Sequence, residues 1–211
     1  GLDYYEATFD QEEGPMDIVN RVQSIILKPK EEWVKIKAEP DTVAGIFTSY
    51  VMILAAIPSV FQFLGNVLVG TRLPLVGTFR WPFGRALGYA LASYVFALIA
   101  VYVFALIVNE LAPTFSSAKN MTNAVKLAAY SMTPGWVAGV LYIIPGLWVL
   151  GLVASLYGLY ILYLGFSTPM METPKDKIPG YMVLSILAAV VLYVVFGWIA
   201  RGIFAIRYGR L

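Results

Sequence analysis

Charged residues in this chain fall in clusters, and the intervals between the clusters are long and apolar. Residues 42–71, 86–109, 127–171 and 178–200 contain no Asp, Glu, Lys or Arg. A charge at the centre of a bilayer costs about 2.5–3.5 kcal/mol on insertion scales, and one helix needs about 20 residues to cross. The first, second and fourth intervals each accommodate one crossing. The third accommodates two, divided by the turn signal Pro145-Gly146. The pattern predicts an all-α polytopic bundle of five transmembrane helices, at about 43–69, 86–110, 125–144, 147–167 and 180–203, with 206–211 as a C-terminal tail.

Before the first interval the periodicity changes. Ile18, Val19, Val22, Ile25 and Ile26 form one apolar stripe at helical spacing, with Asp17, Asn20, Arg21 and Ser24 on the other face. Lys28-Pro29 breaks this helix, and Pro29 suits the first position of another. Glu31 and Glu32 then fall in a first turn, where the helix dipole favours acids. Trp33 beside Lys35 and Lys37 is the composition of a helix lying in the membrane interface. Residues 16–41 are therefore expected to be amphipathic cytoplasmic or interfacial helices. They would sense lipid, dock a partner or form a packing collar under the bundle. Residues 1–15 are acidic and end in Gly-Pro before Met16, which reads as a tag remnant or a disordered tail.

Composition agrees with a membrane protein. Hydrophobic residues make up 59% and charged residues 13%, and mean hydropathy is +0.73; soluble domains carry about 25% charged residues. A net charge of +2 gives no footprint for nucleic acid. The chain has no Cys and no His, which excludes disulfides, thiolate nucleophiles, the usual zinc and haem ligand sets and a Ser-His-Asp triad. No acid pair, metal motif or nucleophile elbow appears, so neither enzymatic activity nor a cofactor is expected. Lys and Arg near the span ends number nine on the side of the N-terminal segment and six on the other. This places the N-terminus in the cytoplasm and the C-terminus outside.

Several features within the spans are candidates for function. Ser59, Gln62 and Asn66 form a polar stripe after Pro58, suited either to hydrogen bonding between helices or to the wall of a solute path. Asn109-Glu110 ends the second span, and Glu110 is the only acid between Asp41 and Glu172. With Lys126 as its partner and Tyr130 nearby, it forms a candidate ion or proton site, or an interfacial pair pinning a loop. Gly84 and Gly88, continued by Ala92, recur every fourth residue; Gly151, Gly158 and Gly165 recur every seventh. Such faces let helices approach closely, within one chain or across a dimer. Pro134 should kink the third span.

A family resemblance rests on four stretches: Ile26-Leu27-Lys28-Pro29-Lys30-Glu31-Glu32-Trp33 before the first span, Ala129-Tyr130-Ser131-Met132-Thr133-Pro134 at the third, Pro145 closing it, and Tyr157-Gly158-Leu159-Tyr160 with Leu164-Gly165 ending the fourth. In this order, over nearly all of 16–205, they resemble the Yip-domain family in its short bacterial branch. The resemblance implies five helices, a cytoplasmic N-terminus in a bacterial inner membrane, and self-association. Family members in eukaryotes act in membrane traffic and are named for interaction with Rab-type GTPases. The Asp-Leu-Tyr-Gly-Pro signature of those members does not occur here, so GTPase binding is not expected. The function expected is a non-enzymatic membrane scaffold or adaptor that forms homo-oligomers and binds lipids or a membrane-protein partner. The alternative is a small channel or transporter using the Ser59-Gln62-Asn66 path with Glu110 as its ion site.

Overall fold

The computed structural model describes residues 17–73, 77–168, 170–191 and 194. Two short helices open the chain, α1 (Ile18–Leu27) and α2 (Pro29–Ala38). Asp17 caps α1 by accepting from the Val19 amide, satisfying one of the free N–H groups every helix start leaves. Pro29 begins α2 with Glu31 and Glu32 in its first turn and Lys35 and Lys37 in its last, as dipole arguments require. The pair forms a helical hairpin.

Helix α3 (Val43–Val69) starts at Thr42, whose Oγ1 accepts from the Gly45 amide at 3.0 Å. It contains Pro58 and two wide π turns, Phe47–Val51 and Gly65–Val69. Gly70 ends it with φ 77°, a left-handed conformation that glycine adopts without strain. A two-stranded antiparallel hairpin follows, β1 (Thr71–Leu73) and β2 (Gly77–Phe79), with Leu73 paired to Gly77. Helix α4 (Phe83–Leu111) then runs the length of the bundle and tightens into a 3-10 turn at Ala112–Phe115.

The third predicted span is not one helix. It comprises α5 (Met121–Ser131), α6 (Thr133–Ala138) and a 3-10 segment, Gly139–Ile143. Pro134 lies in the first turn of α6, where its missing N–H costs nothing, and this moves the break to Met132. After a 3-10 turn at Pro145–Leu147, α7 (Trp148–Ser167) returns antiparallel to this segment. The heptad glycines give the register: Gly151 faces Tyr142, Gly158 faces Ser131, and Gly165 faces Leu127. Helix α8 (Ile178–Val191) completes the described part.

Among the described residues, three helical segments are long and apolar enough to cross a membrane: Val43–Val69, Phe83–Phe115 and Pro145–Ser167. The five-span expectation therefore meets three uninterrupted candidates, an interrupted 121–143 segment, and a fifth predicted span described only by the shorter helix Ile178–Val191. Residues 1–15, the end of the fifth predicted span and the C-terminal tail also lie outside them. The core is concentrated at one end, where Ile25, Trp33, Ile36, Ile46, Val51, Val101, Val108, Leu127, Ile161 and Tyr181 are buried. Elsewhere the spans turn large apolar side chains outward, Leu87, Leu91, Val95, Ile99, Leu152 and Leu156 among them. That distribution suits an acyl-chain environment.

Candidate functional site

The α1–α2 hairpin carries a charged cluster into the core. Arg21 is 5% exposed and Glu32 2%. Arg21 donates Nη1 to Glu32 and Nη2 to Glu39, both at 2.5 Å. Its guanidinium also lies over the Tyr130 ring, 5.6 Å from the centroid. Burial alone would lower the pKa of Arg21. The hydrogen bond and charge of Glu39, together with Glu32, outweigh it, so the group is held above its ordinary value. Arg21, expected on a solvated face, thus becomes the ionic centre of the hairpin. No local spacing pairs it with Glu32 and Glu39, which lie on α2 and just beyond its last residue.

Lys126 completes this cluster and does not pair with Glu110. Its Nζ donates to the carbonyls of Ile36 at 2.7 Å and Glu39 at 2.6 Å. These groups lie at the C-terminal end of α2, where carbonyls lack helical partners and a cation is favoured. Lys126 therefore caps α2 from a different helix. Tyr130 packs edge-on against Trp33 and obliquely against Tyr50, and the Tyr50 hydroxyl meets Thr133 Oγ1 at 2.7 Å. Of the predicted polar site, Lys126 and Tyr130 join the hairpin cluster, while Asn109 and Glu110 stand apart.

Glu110 is exposed at the end of α4 and forms an ion pair with Lys119 at 2.5 Å. Asn109 Nδ2 donates to its other carboxylate oxygen. Lys119, nine residues on, reaches Glu110 because the 3-10 turn after α4 folds the chain back. An exposed pair of this kind contributes little to stability, because solvent screens it.

Trp33 is also relocated. It was expected at the interface with Lys35 and Lys37; those lysines are exposed, but Trp33 is fully buried. Its Nε1 donates to the Ile161 carbonyl at 3.0 Å. Gly165 makes the contact possible, since a Cβ there would lie 2.7 Å from the indole and 2.6 Å from Leu127. At the hairpin tip the Tyr157 hydroxyl donates to the Ile26 carbonyl. The hairpin therefore lies along the C-terminal half of α7 and not flat beneath the bundle.

The polar stripe of α3 divides. Ser59 faces α4, 3.4 Å from Ser93 Oγ. Gln62 and Asn66 face away from it, into a cavity of about 390 Å³ bounded by Tyr142, Pro145, Trp148 and Leu152. Gly65 lets α3 approach this wall: a Cβ there would sit 2.4 Å from the Tyr142 carbonyl and 2.7 Å from that of Ile143. Gly139 likewise seats against Pro58, and Gly151 against the Tyr142 ring. The other glycine face differs. A Cβ at Gly84 or Gly88 would meet nothing within 4 Å, so among the described residues neither packs against its own chain.

The Yip1 domain model matches residues 23–199 of the chain. The chain is also similar to inner membrane protein YohC of Escherichia coli strain K12, with 24% identity over 182 residues that cover 81% of this chain and 93% of the relative. The same values hold for YohC of Escherichia coli O6:H1 strain CFT073. No solved structure matches. With a family match that begins within α1 and takes in α2 and all three long apolar segments, the chain belongs to the Yip1-domain family of membrane proteins.

Proposed function

We propose that the protein is a non-enzymatic scaffold or adaptor of the inner membrane, which self-associates through α4 and binds lipids or a membrane-protein partner. The observation carrying this reading is the outward face of α4. Gly84 and Gly88 have open space where a side chain would be, and Leu87, Leu91 and Val95 beside them are exposed. Small residues on an unoccupied helix face allow close helix–helix approach in lipid. The inner-membrane placement follows the name of the relatives.

Five crossings with the N-terminus in the cytoplasm complete the proposal. The α5–α6 segment with its 3-10 extension supplies one crossing, and the helix beginning at Ile178 supplies another. The Lys and Arg bias supports the orientation. The channel alternative draws less support, because Ser59 and the Gln62–Asn66 pair face different grooves and Glu110 lies exposed.

The test is the oligomeric state of Gly88→Leu in detergent and in nanodiscs, by cross-linking and light scattering. Thermal stability should stay close to wild type while the oligomer dissociates. An unchanged oligomer distribution would overturn the role of α4, and a wild-type protein that is already monomeric would overturn self-association.

A further inference from the structure

We infer that the Gln62–Asn66 cavity is a binding site for an uncharged, hydroxyl-rich group, either the headgroup of a neutral glycolipid or a free sugar of similar chemistry. This deepens the lipid-binding part of the proposed function and is independent of the α4 face.

Three polar side chains around this cavity have unmet hydrogen-bonding capacity among the described residues. Asn66 is 9% exposed, yet its carboxamide has no hydrogen-bond partner among the described residues; only its backbone carbonyl is used, by the Trp81 amide. The Gln62 carboxamide and the Tyr142 hydroxyl, which line the same space, likewise make no side-chain hydrogen bond among the described residues. Asn66 is buried and Gln62 and Tyr142 are half-buried, and in an acyl-chain environment hydrogen-bonding capacity that no described residue takes up favours an occupant able to pair with it.

The walls are built to hold these groups in place. Gly65 brings α3 against the Tyr142 and Ile143 carbonyls, and the π turn of Gly65–Val69 carries Asn66. π turns often mark functional sites in helices. Tyr142 is seated on Gly151, where any Cβ would collide with its hydroxyl.

The lining selects the ligand class. Among the described residues no charged side chain borders the cavity, so there neither a phosphate nor a cation would find a counter-charge. Carboxamides and a phenol both donate and accept, matching hydroxyl groups, which do the same. Trp148 and Pro145 supply flat apolar surface of the kind a sugar ring lies against. About 390 Å³ lies within the usual range of small-ligand sites, about 300–1,000 Å³. Trp148 and Leu152 remain largely exposed on the apolar flank, so the site opens toward the lipid side of the bundle.

The full-length protein in phosphatidylcholine nanodiscs would be titrated with monoglucosyl-diacylglycerol, with diacylglycerol, and with free glucose, following tryptophan fluorescence and lipid retention by native mass spectrometry. Saturable binding of the glucosyl lipid but not of diacylglycerol is expected, at least five-fold weaker in Asn66→Leu and in Gln62→Leu. Binding of free glucose alone would identify a soluble sugar as the occupant. No binding of either glucose compound to wild type, equal binding of diacylglycerol, or retention of full affinity in both variants would overturn the site. Gly88→Leu should bind as wild type, which separates failure here from failure of the self-association reading.

Discussion

Arg21 illustrates how one buried cation can set the position of two helices. Its partners Glu32 and Glu39 belong to α2 and its end, and its ring contact Tyr130 belongs to α5, so a single side chain ties α1 to both. Removing one member of a buried ion network leaves the others charged and unpaired, typically at about 3–5 kcal/mol. Arg21→Met should therefore destabilise the protein by about that amount in denaturant titrations in detergent. Lys35→Met, at an exposed position of α2, should shift stability by no more than about 0.5 kcal/mol. Equal effects from the two variants would contradict the buried network. The helical stripe was visible in the sequence; the burial of Arg21 was not, because it depends on acids 11 and 18 residues away.

Among the elements, α7 is organised by glycines and α4 is not. Gly158 abuts the Ser131 carbonyl, which a Cβ would approach to 2.6 Å. Backbone cannot step aside as a flexible side chain can, so the helices must separate. Gly158→Leu is expected to cost about 3 kcal/mol or more, at the upper end of overpacking penalties. Gly84→Leu, with open space at its Cβ, should leave the monomer's stability within about 1 kcal/mol of wild type. Thermal unfolding of both variants in one detergent would check the contrast, and a comparable loss in Gly84→Leu would show that α4 is packed within the chain. Periodicity identified both glycine faces, but period alone carries no information on which one meets a neighbour.

At the scale of the whole molecule, two closed charge groups are present among the described residues. Arg21 and Lys126 are matched by Glu32, Glu39 and the carbonyls at the end of α2, and Glu110 is matched by Lys119. A proton pathway needs an ionisable group at membrane depth, facing a cavity or another relay group. Glu110, exposed near the C-terminal end of α4 and paired with Lys119, lines neither of the two grooves described and does not meet that need. Proteoliposomes containing Glu110→Gln should therefore show the same ion and proton flux as wild type. A flux that falls with this substitution would restore the channel reading.

Sequence alone determined the membrane class, the apolar intervals that form the three long helices, the helix break at Lys28-Pro29 and the turn at Pro145-Gly146. These follow from local properties: runs without charge, a 3.6-residue period, and proline and glycine at breaks. It also carried the residues by which the Yip1-domain family is recognised. Tertiary structure alone decided that Trp33 is buried on Gly165, that Lys126 caps α2 while Lys119 pairs with Glu110, and that Gln62 and Asn66 share a cavity with Tyr142 while Ser59 faces α4. The short β-hairpin after Gly70 was likewise unmarked, since three-residue strands carry too little alternation to register. Each of these contacts joins residues far apart in the chain, and a one-dimensional pattern fixes which face of a helix is apolar or polar without fixing what that face will meet.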